Sequence, residues 1–185
     1  GANAGHTIKV NEEQTILHLI PSGILYPNTR NVIGNGVVVD VLELAHEMKM
    51  LAAKGISFSK RFFISEQAHI IFPWHRLLDA LHHKQKLGTT GRGIGPAYAD
   101  KINRVGIRFC DFLTPELFLE KVTQQYTAAV YSLQQECESV YDILEFLKQT
   151  KVGNEDLSRF FSLETWLNKE QIIVEYTAIL TSLLS

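Results

Sequence analysis

The clearest signal for the architecture lies in residues 31–55, which read NVIGNGVVVDVLELAHEMKMLAAKG. The β-branched run Asn31 to Val39, interrupted by two glycines, predicts a buried strand. Asp40 follows as a helix N-cap, and apolar side chains then recur at helical spacing from Val41 to Lys54. Gly55 is the C-terminal stop of that helix. The segment therefore predicts a strand that leads directly into an amphipathic helix.

The same alternation continues on both sides of this segment. Upstream, Thr15 to Ile20 is a short apolar run that predicts another buried strand. Downstream, Arg61 to Ser65 returns to strand character, His69 to Phe72 is a weaker strand, and a helix opens at Pro73 and continues to about His83. Parallel strands need crossover connections, which are usually helical, so this order predicts an α/β fold with a mainly parallel sheet flanked by helices.

The second half of the chain has a helical pattern. From Thr114 to about Leu147 apolar residues recur every three or four positions, which predicts two or more long helices. A further helix is expected around Leu157 to Leu167, and residues 169–184 form another, although part of that pattern also suits a strand. We therefore expect an α/β part over residues 1–113 and a mainly helical part over residues 114–185.

Composition excludes several classes of protein. The 185 residues are 45% hydrophobic and 21% charged, which suits a globular protein with a continuous core. A formal net charge of -2 gives no basic field for nucleic acid or an anionic membrane, and no apolar run approaches the length of a membrane span. Cys110 and Cys137 are isolated and lack a zinc or disulfide pattern, which favours a reducing cytoplasm.

Two segments rich in glycine and small polar residues are candidates for ligand binding. Residues 3–7, NAGHT, combine a glycine that allows close backbone approach with an amide, a hydroxyl and an imidazole. Residues 88–98, GTTGRGIGPAY, would form an irregular backbone whose N–H groups converge on an anion. Arg92 and Arg104 could hold a phosphate or carboxylate in a bidentate fork. The alternatives are a polar loop before a strand and a flexible surface loop.

The histidines suggest a weaker hypothesis. On the helix that opens at Pro73, four side chains fall near one face with a spacing that a metal ion could use: His75, Asp79, His82 and His83. A solvated charged face is the commoner meaning of that pattern. His18 is either a hydrogen-bonded core histidine or part of a site, and His46 and His69 are most simply structural or exposed.

Four segments closely resemble the adenylosuccinate synthetase family in sequence, order and approximate spacing. They are NAGHT at 3–7, LHLIPSGIL at 17–25, IGNGVVVD at 33–40 and GTTGRGIGPAYADK at 88–101. The resemblance extends to about Phe112. It implies a fold related to the P-loop NTPases and a ligase of purine nucleotide biosynthesis, which forms adenylosuccinate from IMP and L-aspartate while GTP is hydrolysed with Mg²⁺.

The resemblance also implies roles for the NAGHT segment. In the family reaction a carboxylate base removes the purine N1 proton, the 6-oxyanion attacks the γ-phosphate of GTP, and aspartate displaces the phosphate. His6 would be the general acid that stabilises charge during the transfer, and the Gly5 carbonyl would bind Mg²⁺. Asn3, Ala4, Gly5 and His6 would line the IMP site, while Gly5, His6 and Thr7 would lie near the GTP phosphates.

The glycine-rich segment receives its roles in the same way. Thr90 would hold the 5′-phosphate of IMP, and Arg92 would lie near the carboxylate of the aspartate substrate. Arg104 would reach the IMP phosphate bound by the neighbouring subunit, so that a homodimer shares its active sites. The implied partners are thus IMP, GTP, L-aspartate and a second copy of the chain, without nucleic acid or membrane.

Departures from the family pattern set the remaining expectations. The family carries a phosphate loop with the catalytic aspartate and a lysine ahead of NAGHT, and these residues do not occur here. The segments that recognise guanine are missing as well, and neither end resembles a natural terminus. We expect an internal piece of the enzyme that is inactive by itself. The alternatives are a non-catalytic remnant that dimerises or weakly binds a nucleotide, and an unrelated α/β domain.

Overall fold

The computed structural model describes residues 5–10, 13–85, 91–136 and 168–184. The strands are β1 His6–Val10, β2 Glu13–Leu17, β3 Asn31–Ile33, β4 Val38–Asp40, β5 Phe62–Ile64 and β6 His69–Ile71. The helices are α1 Val41–Ala53, α2 Pro73–Gln85, α3 Ile94–Ile102, α4 Phe109–Phe112, α5 Pro115–Glu136 and α6 Lys169–Leu184. A 3₁₀ turn at Ser22–Leu25 connects the first two strands to the rest of the fold.

The parallel pairing predicted for an α/β fold is confirmed. Strands β3 and β5 are parallel with Val32 opposite Phe63, and β4 and β6 are parallel with Val39 opposite Ile70. One expectation was wrong in detail, because the run Asn31 to Val39 is two strands in two separate pairs. The turn at its centre redirects the chain between them, as glycine and asparagine in a turn allow.

An antiparallel hairpin precedes the parallel strands. Strand β1 pairs with β2 in a register that places His6 opposite Leu17 and Thr7 opposite Ile16. The strand predicted over Thr15 to Ile20 therefore starts earlier and ends at Leu17, and the chain bends over the next three residues.

Helix α1 has the ends that its sequence predicts. The Asp40 carboxylate accepts the N–H groups of Leu42 at 3.1 Å and Glu43 at 3.2 Å, which satisfies two donors of the first turn. Gly55 follows the helix with a φ of 79°, a conformation that glycine adopts without a Cβ penalty. Asp40 also pairs with the buried Arg76 of α2, so the cap ties the two helices together.

The last helix closes the core over the parallel strands. Residues 169–184 are helical throughout, and Ile172, Tyr176 and Leu180 lie buried at spacings of four on one face of α6. The Tyr176 ring stacks on Phe72 at 4.5 Å, and its hydroxyl donates to the Ile71 carbonyl at 3.2 Å. Because this contact joins the end of the chain to β6, α6 shares one core with the α/β part.

From residue 91 onwards, the glycine-rich segment is less irregular than expected. Helix α3 begins at Ile94, inside the stretch predicted as a loop, and Gly93 is its N-cap with a φ of 76°. The helices predicted up to Leu147 and over Leu157 to Leu167 lie outside the described residues, apart from α5. Within the described part of the chain, no helix is long and apolar enough to cross a membrane.

Candidate functional site

Gly5, the residue before β1, has neighbouring side chains at the position where a Cβ would lie. A Cβ added to Gly5 would lie 2.8 Å from His18 Nε2 and 3.3 Å from Ile16 Cγ2. The space beside the Gly5 backbone is therefore filled by side chains of β2 and of the bend that follows it. His6, the next residue, is held by strand pairing while its side chain stays partly exposed. Asn3 and Ala4 lie outside the described residues.

A buried carboxylate organises the bend after β2. Glu47 of α1 is 2% exposed, and its Oε2 accepts the N–H groups of Leu19 at 3.1 Å and Ile20 at 2.9 Å. Its Oε1 accepts the backbone N–H of His18. Three charge-assisted hydrogen bonds compensate a charge that would otherwise be costly to bury.

The side chain of His18 is held by the same helix. Its Nδ1 lies 3.2 Å from Glu47 Oε1 and 3.6 Å from Glu43 Oε1. The sequence reasoning did not single out either glutamate. Glu47 follows Leu44 by three residues and precedes Leu51 by four, so its position on the apolar face of α1 was the signal that could have found it.

The metal hypothesis for α2 is not supported by the positions of His75 and Asp79, which make other contacts. The side chains of His82 and His83 lie outside the described residues. Among the residues that are described, the side chains close enough to share an ion are His18, Glu43 and Glu47, whose ligand atoms lie within 4.8 Å of one another.

A second buried carboxylate holds the end of the glycine-rich segment. Asp79, 5% exposed on α2, accepts the backbone N–H of Gly93 at 2.9 Å. A Cβ added to Gly93 would lie 2.8 Å from the backbone nitrogen of Arg76, so α2 and the segment touch through their main chains. Arg92 is half-buried beside this contact, and Thr90 lies outside the described residues.

His75, which lies near Asp79 on α2, connects that helix to α3 by a hydrogen bond. Its Nδ1 accepts the Phe72 N–H at 2.8 Å, so the neutral ring carries its proton on Nε2. That nitrogen lies 3.1 Å from the Asp100 carboxylate of α3 and donates to it. The two contacts give His75 a structural role, because they connect the start of α2 to the last turn of α3.

A basic cleft of about 400 Å³ lies at the far end of α3. Its lining consists of Asn35, Gln67, His69, Lys101, Arg104, Gly106, Arg108 and Lys121. Four of these side chains are cationic, although the chain as a whole carries a slight negative charge. Arg104 is exposed and has a φ of 61°, so the backbone turns sharply where α3 ends.

Asp111 forms ion pairs with two of the cationic side chains of this cleft. Lys121 donates to Asp111 Oδ2 at 2.9 Å, and Arg108 donates to Oδ1 at 3.2 Å. Burial acts to raise the pKa of Asp111, but the hydrogen bonds from Lys121 and Arg108 outweigh it and hold the pKa below the usual value. The ionised carboxylate holds two of the four cations in place, and the cleft keeps a positive excess suited to an anion.

His69 is the titratable group in the wall of this cleft. Burial lowers its pKa, and the charges of Lys101 and Arg108 lower it further. Its Nδ1 is buried and has no hydrogen-bond partner in the described part of the chain. His69 was expected to be structural or exposed, and the structure instead places it half-buried at the cleft.

Comparisons with known proteins agree on one family. A family model described as adenylosuccinate synthetase matches residues 1–180. The chain is 45% identical over 179 residues to the adenylosuccinate synthetase of Endomicrobium trichonymphae, covering 94% of this chain and 40% of that protein. It is 57% identical over 127 residues to that of Syntrophus aciditrophicus (strain SB), covering 66% of this chain and 29% of the relative.

A solved structure is similar as well. The fully ligated adenylosuccinate synthetase from Plasmodium falciparum matches with a TM-score of 0.66 and 35% sequence identity, covering 80% of this chain and 36% of that one. The fold similarity supports the α/β class predicted from the sequence. The chain spans less than half the length of the relatives that it matches.

Proposed function

The chain belongs to the adenylosuccinate synthetase family, and from this premise we propose that it forms part of a GTP-dependent ligase that joins IMP and L-aspartate. The observation that carries the proposal is the close-packed Gly5 backbone at the head of β1, with His6 next to it. Gly5 is exposed and has no side chain of its own, so its backbone can approach a ligand closely, and the imidazole of His6 follows directly; this pair suits a segment that lies between two nucleotides.

His6 has the role of general acid in this proposal. Its backbone is fixed by pairing with Leu17, and its side chain is partly exposed, so the imidazole can meet a bound nucleotide without moving the strand. Imidazole changes charge near neutral pH, which suits a group that stabilises the developing charge of a phosphoryl transfer. Thr7 continues the strand on the exposed side, where a GTP phosphate would lie.

Gly5 can contribute one ligand atom, its carbonyl oxygen, to a Mg²⁺ ion. A backbone carbonyl is the hard oxygen ligand that Mg²⁺ accepts, and the other ligands of such sites are usually phosphates and waters. Gly5 offers that carbonyl, and the bound ion would neutralise phosphate charge. The family pattern assigns IMP contacts to Asn3, Ala4 and Thr90, and we retain these as part of the proposal.

Arginines on the second segment complete the proposed site. Arg92 follows Thr90 by two residues and would hold a carboxylate of L-aspartate, with its backbone set by the bond from Gly93 to Asp79. Arg104 lies in the basic cleft, a place suited to a phosphate. In a homodimer, Arg104 of one subunit would reach the IMP phosphate held by the other.

The test is a synthetase assay on two samples, the 185-residue chain and the complete gene product that carries it. Formation of adenylosuccinate is followed by nucleotide chromatography together with release of phosphate, with IMP, L-aspartate, GTP and Mg²⁺ present. We expect activity from the complete product, its loss on omission of GTP, and a large loss in the His6→Asn variant. We expect no turnover by the 185-residue chain alone.

The control replaces His46, which is exposed on α1, by asparagine and should leave activity unchanged. A complete product that makes no adenylosuccinate with all four components would reject the proposed function. Equal activity of the His6→Asn variant and the original protein would reject the role of His6 while leaving the family reaction in place.

A further inference from the structure

We infer that His18, held by Glu47, is a positioning residue that sets the backbone of Gly5 and His6 at the start of β1. This inference deepens the proposed function and rests on it for the role of these two residues. His18 follows β2 directly, so it belongs to the bend that connects the hairpin to the 3₁₀ turn. The sequence left His18 as either a core histidine or part of a site, and it did not identify residue 5 as its contact.

The first step is that the position of His18 is set by α1. Glu47 accepts the backbone N–H of His18 as well as those of Leu19 and Ile20, so it fixes the main chain of the bend. The same carboxylate lies 3.2 Å from His18 Nδ1, and it therefore fixes the ring as well. The position of the His18 backbone and the orientation of its ring therefore both depend on the buried side chain of Glu47.

The second step is the contact between the ring and Gly5. With Nδ1 directed at the carboxylates of α1, the opposite edge of the ring faces Gly5, where an added Cβ would lie 2.8 Å from Nε2 and 3.1 Å from Cδ2. The ring occupies the space in which another residue at position 5 would place its side chain. While it is held by α1, the ring therefore limits the positions that the Gly5 backbone can take on this side.

The third step concerns the choice between hydrogen bonding and metal binding by these side chains. His18, Glu43 and Glu47 are close enough to share an ion. Both oxygens of Glu47, however, accept backbone N–H groups of the bend, so its geometry serves the main chain. Hydrogen bonding of Glu47 to the bend and packing of the His18 ring against Gly5 therefore account for these contacts without an ion.

The consequence for catalysis follows from the proposed roles of Gly5 and His6. His6 is the proposed acid and Gly5 the proposed Mg²⁺ ligand, so a shift of their backbone moves both groups away from the reacting phosphate. Misplacement by about 1 Å can lower a rate by about 100-fold without altering the contacts that bind the substrates elsewhere. Loss of the His18 ring should therefore lower kcat and leave the KM for L-aspartate nearly unchanged.

The experiment uses the complete gene product with His18→Ala, His18→Asn and the matched control His46→Ala on the exposed face of α1. We expect kcat to fall at least about tenfold in His18→Ala with the KM for L-aspartate within about twofold. His18→Asn, whose amide can reproduce the Nδ1 donor, should recover part of that loss. His46→Ala should match the original protein in both constants.

A second measurement does not depend on turnover. Hydrogen exchange at the amides of residues 5–7 should be at least about tenfold faster in His18→Ala than in His46→Ala, with exchange in the middle of α1 unchanged. If the original protein makes no adenylosuccinate, the proposed function fails while this exchange measurement still decides the positioning role.

Three outcomes would overturn the inference. One is unchanged kcat together with unchanged exchange in His18→Ala. Another is a rise in the KM for L-aspartate as large as the fall in kcat, which indicates general damage to the site. The third is stoichiometric Zn²⁺ that survives dialysis in the original protein and is lost in His18→Ala, which would make the cluster a metal site.

Discussion

Asp79 on α2 accepts the backbone N–H of Gly93 at 2.9 Å, and this bond fixes the point where the glycine-rich segment becomes a helix. The carboxylate is buried, and Gly93 has a φ of 76° that an L side chain rarely adopts. The segment that would meet the substrates is therefore attached to the core at one end. A glycine-rich sequence alone suggests a mobile segment, whereas the bond from Gly93 to Asp79 fixes the backbone next to Arg92.

Gly93→Ala should destabilise the protein. A left-handed conformation costs an alanine about 1–2 kcal/mol, and the new Cβ would lie 2.8 Å from the backbone of α2. We expect the free energy of unfolding in urea to fall by more than about 1 kcal/mol. The matched control is Gly95→Ala on α3, where nothing lies within 4 Å of an added Cβ. Alanine there should be neutral or stabilising by up to about 1 kcal/mol, and equal effects at both positions would contradict the argument.

Gly5→Ala should lower kcat, and the size of the loss should depend on His18. The added Cβ collides with the imidazole, and removing that ring opens the space, leaving Ile16 Cγ2 at 3.3 Å as the nearest remaining contact. A double-mutant cycle of Gly5→Ala with His18→Ala should give a coupling of about 0.5–3 kcal/mol in activation free energy. Additive losses would show that the two residues do not touch in the active enzyme.

Glu47→Gln should destabilise the fold more than Glu43→Gln. The glutamine side chain keeps one acceptor oxygen in place of two and loses the charge, so donors of the bend after β2 lose a partner. Leaving a buried donor unsatisfied costs about 1–3 kcal/mol, which urea unfolding can resolve. Glu43 is more exposed than Glu47, and its replacement should cost less than about 1 kcal/mol. A larger loss of stability in Glu43→Gln than in Glu47→Gln would contradict the assignment of Glu47 as the residue that organises the bend.

His69 should make stability fall in mildly acidic solution. Burial, with the charges of Lys101 and Arg108, lowers the pKa of His69 in the folded protein. The unfolded chain then binds a proton at a higher pH than the folded one. The free energy of unfolding is therefore highest above the usual value of 6.5 and declines as the pH falls from there towards the lowered folded pKa.

The measurement for His69 is urea unfolding across that pH window in the original protein, in His69→Gln and in His46→Gln as the exposed control. As the pH falls, the free energy of unfolding should decrease more in the original protein than in His69→Gln. A constant difference across the window would mean that His69 does not titrate differently in the folded and unfolded states.

Local signals predicted much of the fold. The Asp40 cap, the end of α1 at Gly55 and the helix that opens at Pro73 follow from neighbouring residues, and the structure confirms each of them. The parallel pairing followed from the alternation of strands and helices. The division of the run Asn31 to Val39 into two strands was missed, because a β-branched pattern does not show which partner each half will find.

For the candidate site, the sequence by itself supplied the glycine-rich segments, the histidine next to Gly5 and the family to which the chain belongs. These features depend on residue types within a few positions of one another. Only the tertiary structure brought Glu47 to the bend after β2, His18 to Gly5 and Asp79 to Gly93. Those contacts join residues from 13 to 29 positions apart. Two of the three are made by buried carboxylates, which are stable only when backbone donors from another element reach them.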